Sequence, residues 1–155
     1  MVAAIWAEQL EGIALHALME RLSNQVLSWP VQIPEIDAIA GWLPCSAHIA
    51  ATIRQQAKNI LSNKELEQYF NPARFIFARN EMDIQYQQKI VRLDRVVVFA
   101  DEVWLLDYKR QLLASERNDY QEQLKQYSDA LMTIFFDKKI RSALILADGS
   151  LIEMR

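Results

Sequence analysis

One run constrains the fold more than any other: RFIFARNEMDIQYQQKIVRLDRVVVFADEVWLLDYKR, Arg74 to Arg110. It is rich in Ile, Val, Phe and Tyr, and EMDIQYQ alternates polar with apolar. Such residues suit a pleated, partly buried surface. Three strands are expected, the first near 74–79 or 82–87, then 90–99 and 103–109. The chain before this run has a different texture. In AEQLEGIALHALMERL, Leu10, Ile13, Ala14, Ala17, Leu18 and Leu22 recur at helical spacing. His16 and Glu20 sit one turn apart on the flank of that stripe. The two prolines of SWPVQIP break the chain, and EIDAIAGWL fits a short helix. Ser46 is placed to cap AHIAATIRQQAKNILS, in which Ile49, Ile53, Ala57, Ile60 and Leu61 share one face. SNKE, Ser62 to Glu65, has the form of a capping box for a helix ending near Tyr69, and Asn71–Pro72 punctuates it.

After the strands, NDYQEQLKQYSDALMTIFF reads as a helix with Leu124, Tyr127, Leu131 and Ile134 or Phe135 inward. IRSALILADGSLIEMR then gives a strand, a D-G turn and a last short strand. Helices, antiparallel strands, a helix and a strand in that order imply an α+β fold, a sheet covered by helices. With 155 residues and 52% hydrophobic content, the chain can bury one sizeable core. A single domain over 1–155 is expected, with a helical part over 1–72 and a sheet-and-helix part over 73–155. The longest apolar runs, RVVVFA and LMTIFF, are too short to span a bilayer, so no membrane partner is expected. The first residues carry no basic run and bring in Glu8 and Glu11 early, unlike a secretory signal. Cys45 is the one cysteine, which excludes an internal disulfide, a Cys-based zinc site and a Cys-ligated iron–sulfur cluster. A reducing, cytoplasmic setting follows as the simplest expectation. The net charge of −3 argues against nucleic-acid binding by bulk electrostatics, but not against an acidic site that holds cations.

The hairpin carries the chemistry. With a tight turn near Ala100–Asp101, paired residue numbers sum to about 201, which sets Asp94 opposite Asp107. Directly opposed side chains have Cβ atoms about 4.5–5.5 Å apart, and two carboxylates at that range repel unless a cation lies between them. Lys109, two residues on, points to the same face. Leu93, Val97, Phe99, Trp104 and Leu106 fall on the opposite face, which makes it a buried one. A carboxylate pair suits a hard divalent cation, Mg²⁺ or Mn²⁺. A lysine beside it can orient or deprotonate water, and the set would serve phosphodiester hydrolysis. The same spacing also describes two strand ends whose acids and lysine are merely solvated or ion-paired.

The ordered motifs RLDR (Arg92–Arg95), LDYK (Leu106–Lys109) and QLKQY (Gln123–Tyr127, inside a Y-x2-Q-x3-Y pattern) resemble the PD-(D/E)XK nuclease superfamily. More narrowly, they look like the RecB-type domain at the C-terminus of bacterial helicase–nucleases of the RecB and AddA kind. GIALHALME (Gly12–Glu20), the glutamate of RNEMDI (Glu81) and the D-G turn of ALILADGSLIEM extend the likeness over nearly the whole chain. The resemblance implies a restriction-endonuclease-like core with a mixed central sheet. It implies that His16, Asp94, Asp107 and the backbone carbonyl of Tyr108 ligate Mg²⁺ or Mn²⁺. Lys109 would activate or position the attacking water, Glu81 would stand behind the ligands or help hold a metal, and Gln123 and Tyr127 would contact substrate or support the lysine. Arg92, Arg110, Arg117 and Lys125 are candidates for phosphate contact or plain solvated cations.

The implied activity is a metal-dependent DNA exonuclease of double-strand-break repair and recombination, in a bacterial cytoplasm. Its partners would be single-stranded or end-opened DNA and the helicase portion of the same parent polypeptide or complex. The chain has no Walker A pattern, G-x4-G-K-[ST], and therefore no ATP site of that kind. Its start inside a helix suggests an excised domain. Two other readings stand beside this one: a catalytically silent nuclease-like binding or regulatory module, and a stand-alone nuclease of a mobile element or defence system.

Overall fold

The computed structural model describes residues 2–155, with side chains from residue 8 onward. The helices are α1 Val2–Asn24, α2 Ile36–Trp42, α3 Ala47–Ser62, α4 Glu67–Phe70 and α5 Arg117–Met132. The strands are β1 Phe77–Tyr86, β2 Lys89–Val98, β3 Glu102–Lys109, β4 Lys139–Leu146 and β5 Leu151–Met154. They form one sheet in the order β1-β2-β3-β4-β5. β1, β2 and β3 are an antiparallel meander, α5 carries the chain over to β4 parallel to β3, and β5 returns antiparallel. The architecture is α+β with a mixed sheet and helices. The two alternatives for the first strand, 74–79 and 82–87, are two parts of one strand.

VVVF and VWLL are continuously apolar because both faces of the sheet are covered. Val97, Trp104, Leu106 and Tyr108 pack with α1, α3 and α4 through Leu18, Met19, Ile53, Ile60 and Phe70. Val96, Val98, Val103 and Leu105 pack with Leu124 and Leu131 of α5. Alternate residues of each strand therefore feed two separate cores. Among the described residues no single helix is long and apolar enough to cross a membrane.

α3 forms over the expected residues, and Ser46 Oγ accepts from the Ile49 amide at 3.2 Å. The next cap is Asn63 rather than Ser62. Asn63 Oδ1 accepts from the Glu65 amide at 3.0 Å, while Ser62 Oγ turns back onto the Lys58 carbonyl inside α3. α1 is rotated from the expected stripe. Ala14, Leu15, Leu18, Met19 and Leu22 are buried, whereas Leu10 and Ile13 are 51% and 67% exposed. That second set is equally helical in period, and only the sheet beneath decides which set is covered. α5 stops at Met132, so Ile134 faces solvent and Phe135 packs inward. The D-G turn docks on α3: Gly149 has φ +91°, and a Cβ there would stand 2.5 Å from the Asn59 carbonyl oxygen.

One strand position breaks the alternation. Glu81 has φ +49°, and the β1–β2 ladder skips from Asn80↔Arg95 to Met82↔Leu93 around it. A left-handed non-glycine residue inside a strand is uncommon. Asn80 and Arg95 face α1 and α4, whereas Met82, Ile84 and Leu93 fall into the α5-side core. Leu93 therefore does not share a face with Val97, Phe99, Trp104 and Leu106, as simple alternation required.

Candidate active site

The carboxylate pair forms where the β2–β3 ladder ends. The register sums to 201, with Arg95↔Leu106 as the outermost pair, so the next step sets Asp94 opposite Asp107. In place of a further ladder bond, Asp94 Oδ2 accepts from the Tyr108 amide at 3.0 Å. That contact is the one Tyr108's backbone makes to the pair; its ring is buried toward α1, 5.8 Å from the His16 ring. Lys109 Nζ lies 3.3 Å from Asp107 Oδ2, and His16 Nε2 reaches from α1 to 3.4 Å from Asp94 Oδ1. Gln123 and Tyr127, one turn apart on α5, close the other wall, with Gln123 Nε2 donating to Tyr127 Oη at 2.8 Å. His16, Asp94, Asp107, Tyr108, Lys109, Gln123 and Tyr127 line one cavity of about 610 Å³, together with Gly12, Ile13, Arg92, Arg110 and Tyr120.

Glu81 is the candidate that does not line this cavity. It lies opposite Asp94 in register, yet it is not among the cavity-lining residues. Its partner is Glu20 of α1, whose carboxyl is pushed up by burial and by the hydrogen bond to Glu81. Two of the four cations singled out for phosphate, Arg92 and Arg110, are ion-paired. Arg92 is forked onto Asp83 at 2.9 and 3.3 Å, and Arg110 meets Glu11 at 3.1 Å and Glu8 at 3.5 Å. A second hollow of about 940 Å³ between α5, β4 and β5 includes Lys125 but none of the candidate site residues.

Charge in the cavity is under strain. Burial, with Asp107 next in effect, raises the Asp94 carboxyl from its ordinary value to about 8. The Tyr108 amide and Lys109 oppose that rise. Burial also disfavours the Lys109 ammonium, but Asp107 and Tyr120 outweigh it and hold Lys109 above its ordinary pKa. Such a pair, one carboxyl held protonated by burial and by its neighbour, is what a divalent cation would relieve. His16 Nε2 is buried and makes no hydrogen bond of good geometry, despite its nearness to Asp94. An orphaned imidazole nitrogen beside one member of a carboxylate pair has the donor chemistry of a metal ligand. Among the described residues no three His, Cys, Asp or Glu side chains converge on one ion-sized point.

Two residues near the pair had no role from the motifs alone. Tyr120 places its ring 4.8 Å from Lys109 Nζ. It stands one helical turn before Gln123, a spacing that puts it on the same wall. Arg95 follows Asp94 and is 1% exposed; its guanidinium donates twice to the Tyr69 carbonyl, at 3.1 and 2.8 Å, and to Asn80 Oδ1 at 2.9 Å. Asn80 in turn donates to Ser23 Oγ and to the Glu20 carbonyl on α1. This network fixes the strand carrying Asp94 to the helix carrying His16.

No protein-family model matches the chain. It is similar to an ATP-dependent helicase/nuclease subunit of Streptococcus equi subsp. zooepidemicus strain H70, 26% identical over 157 aligned residues covering 92% of this chain. The protein of the same description from strain MGCS10565 is 25% identical over 154 aligned residues, again with 92% of this chain covered. The chain spans about 13% of the length of these curated relatives.

Proposed function

We propose that this chain is a divalent-metal-dependent nuclease domain of the PD-(D/E)XK kind, acting on single-stranded or end-opened DNA as part of a helicase–nuclease. The observation that carries the reading is the meeting of Asp94, Asp107, Lys109 and His16, from three separate elements, in one cavity. The likeness to a short segment of two helicase/nuclease proteins supports the wider context of DNA repair with a motor beside the domain. Asp94, Asp107 and His16 would hold Mg²⁺ or Mn²⁺, which supplies charge stabilisation at a phosphoryl oxygen and a lowered pKa for water. Asp107 keeps Lys109 charged and in place. A lysine held cationic is a weak base near neutral pH, so its part is to orient water and balance developing charge. The Tyr108 amide holds Asp94 in its rotamer through Oδ2. Gln123 and Tyr127 bind each other and present one polar edge to substrate.

The test is cleavage of end-labelled single-stranded DNA in Mg²⁺ or Mn²⁺, expected in the wild type and lost in Asp107→Ala and Lys109→Ala. Wild-type activity in both variants would overturn the assignment. The absence of a converged three-ligand cluster among the described residues favours one alternative, a nuclease-like binding module without chemistry. Titration calorimetry separates the two, since a silent module shows no Mn²⁺ site that depends on Asp94 and Asp107.

A further inference from the structure

The geometry points to Tyr120 as a positioning residue that holds the Lys109 ammonium against Asp107. This assignment rests on the nuclease reading for its kinetic consequence. The Lys109 nitrogen sits between two groups, Asp107 Oδ2 at 3.3 Å and the Tyr120 ring centroid at 4.8 Å. A lysine side chain has four flexible bonds and one point charge, so a single carboxylate contact leaves it many orientations. A ring face supplies a second attraction from another direction.

The ring is itself held. Tyr120 Oη donates to Glu116 Oε2 at 3.2 Å, and Glu116 Oε1 accepts from the Leu113 amide at 3.3 Å. Leu113 belongs to the loop that leaves β3 just after Lys109. One carboxylate therefore ties the ring of α5 to the short turn that joins β3 to α5. Tyr120 touches Lys109 and lines the same cavity, so the position of the ring sets the position of the charge.

Tyr120→Phe keeps the ring and drops the Glu116 bond, whereas Tyr120→Leu keeps apolar bulk and drops the ring. Cleavage of a labelled oligonucleotide in Mn²⁺ should show kcat reduced about tenfold in Tyr120→Leu with KM unchanged, and a smaller loss of about two- to threefold in Tyr120→Phe, which keeps the ring but frees it from Glu116. A Tyr120→Leu variant as fast as wild type would overturn the assignment. So would an equal loss in both variants, which would place the effect in the hydroxyl, or a rise in KM alone, which would make Tyr120 a substrate contact. Acetylation of Lys109, followed by mass spectrometry on the metal-free proteins, reads the same contact without catalysis. Labelling about two- to fivefold faster in Tyr120→Leu, with Tyr120→Phe between it and the wild type, supports the assignment, and equal labelling in all three proteins overturns it. A wild type that fails to cleave DNA but shows this labelling pattern would refute the nuclease reading and leave the positioning role standing.

Discussion

Asp94→Asn should stabilise the metal-free protein at alkaline pH and erase its response to metal. The folded Asp94 holds its proton up to about pH 8, against an ordinary value of 3.8 in the unfolded chain. The raised pKa means that its contribution to stability is full below about pH 4 and is lost as pH rises through about 8. At about 1.36 kcal/mol per unit, the shift sets a ceiling of roughly 5–6 kcal/mol for forcing the ionised form into the fold. Asparagine removes that ionisation and still accepts from the Tyr108 amide. A neutral acceptor bonds that amide less strongly by about 1 kcal/mol. The wild-type pair also relaxes by admitting water, so a net gain of about 2–3 kcal/mol is expected at pH 8. For a chain of this size that is a rise in Tm of roughly 4–10 °C. Calorimetric melting of chelator-treated proteins from pH 4 to pH 9 measures it. The two curves should meet near pH 4 and diverge steadily from there until about pH 8, and Mn²⁺ should raise the wild-type Tm alone. A variant that melts below the wild type at pH 8, or whose curve runs parallel to it across the range, would refute the account of a strained carboxylate pair.

Two stability changes test the scaffold. Arg95→Lys keeps the charge but cannot reproduce the fork onto Tyr69 and Asn80; it should cost about 2–3 kcal/mol in denaturant unfolding and weaken Mn²⁺ binding by loosening the Asp94 strand. Gly149→Ala should cost about 2–4 kcal/mol, because its left-handed backbone and the 2.5 Å approach to Asn59 admit no Cβ, with Mn²⁺ affinity unchanged in calorimetry.

Local chemistry made much of the fold legible. The cap at Ser46, the face of α3, the D-G turn and the β2–β3 register all depend on neighbours within a few residues or across one tight turn. That register alone aligned Asp94 with Asp107, and side-chain alternation brought Lys109 to Asp107. The motif order added His16, Gln123 and Tyr127, and all three line the cavity. Glu81 was not legible in this way. Its left-handed backbone turns it toward Glu20, and a strand pattern carries no sign of one inverted residue.

The sequence by itself therefore determined the elements, their pairing in the hairpin and the acid–acid–lysine triplet, because periodicity, caps and strand register are short-range physics. The tertiary structure decided which face of α1 is covered and that Arg95 is buried among backbone carbonyls and aromatic rings. It also decided that Tyr120 meets Lys109 and that His16 meets Asp94. Those contacts join residues far apart in the chain, and they form only when α1 and α5 settle on opposite faces of one twisted sheet.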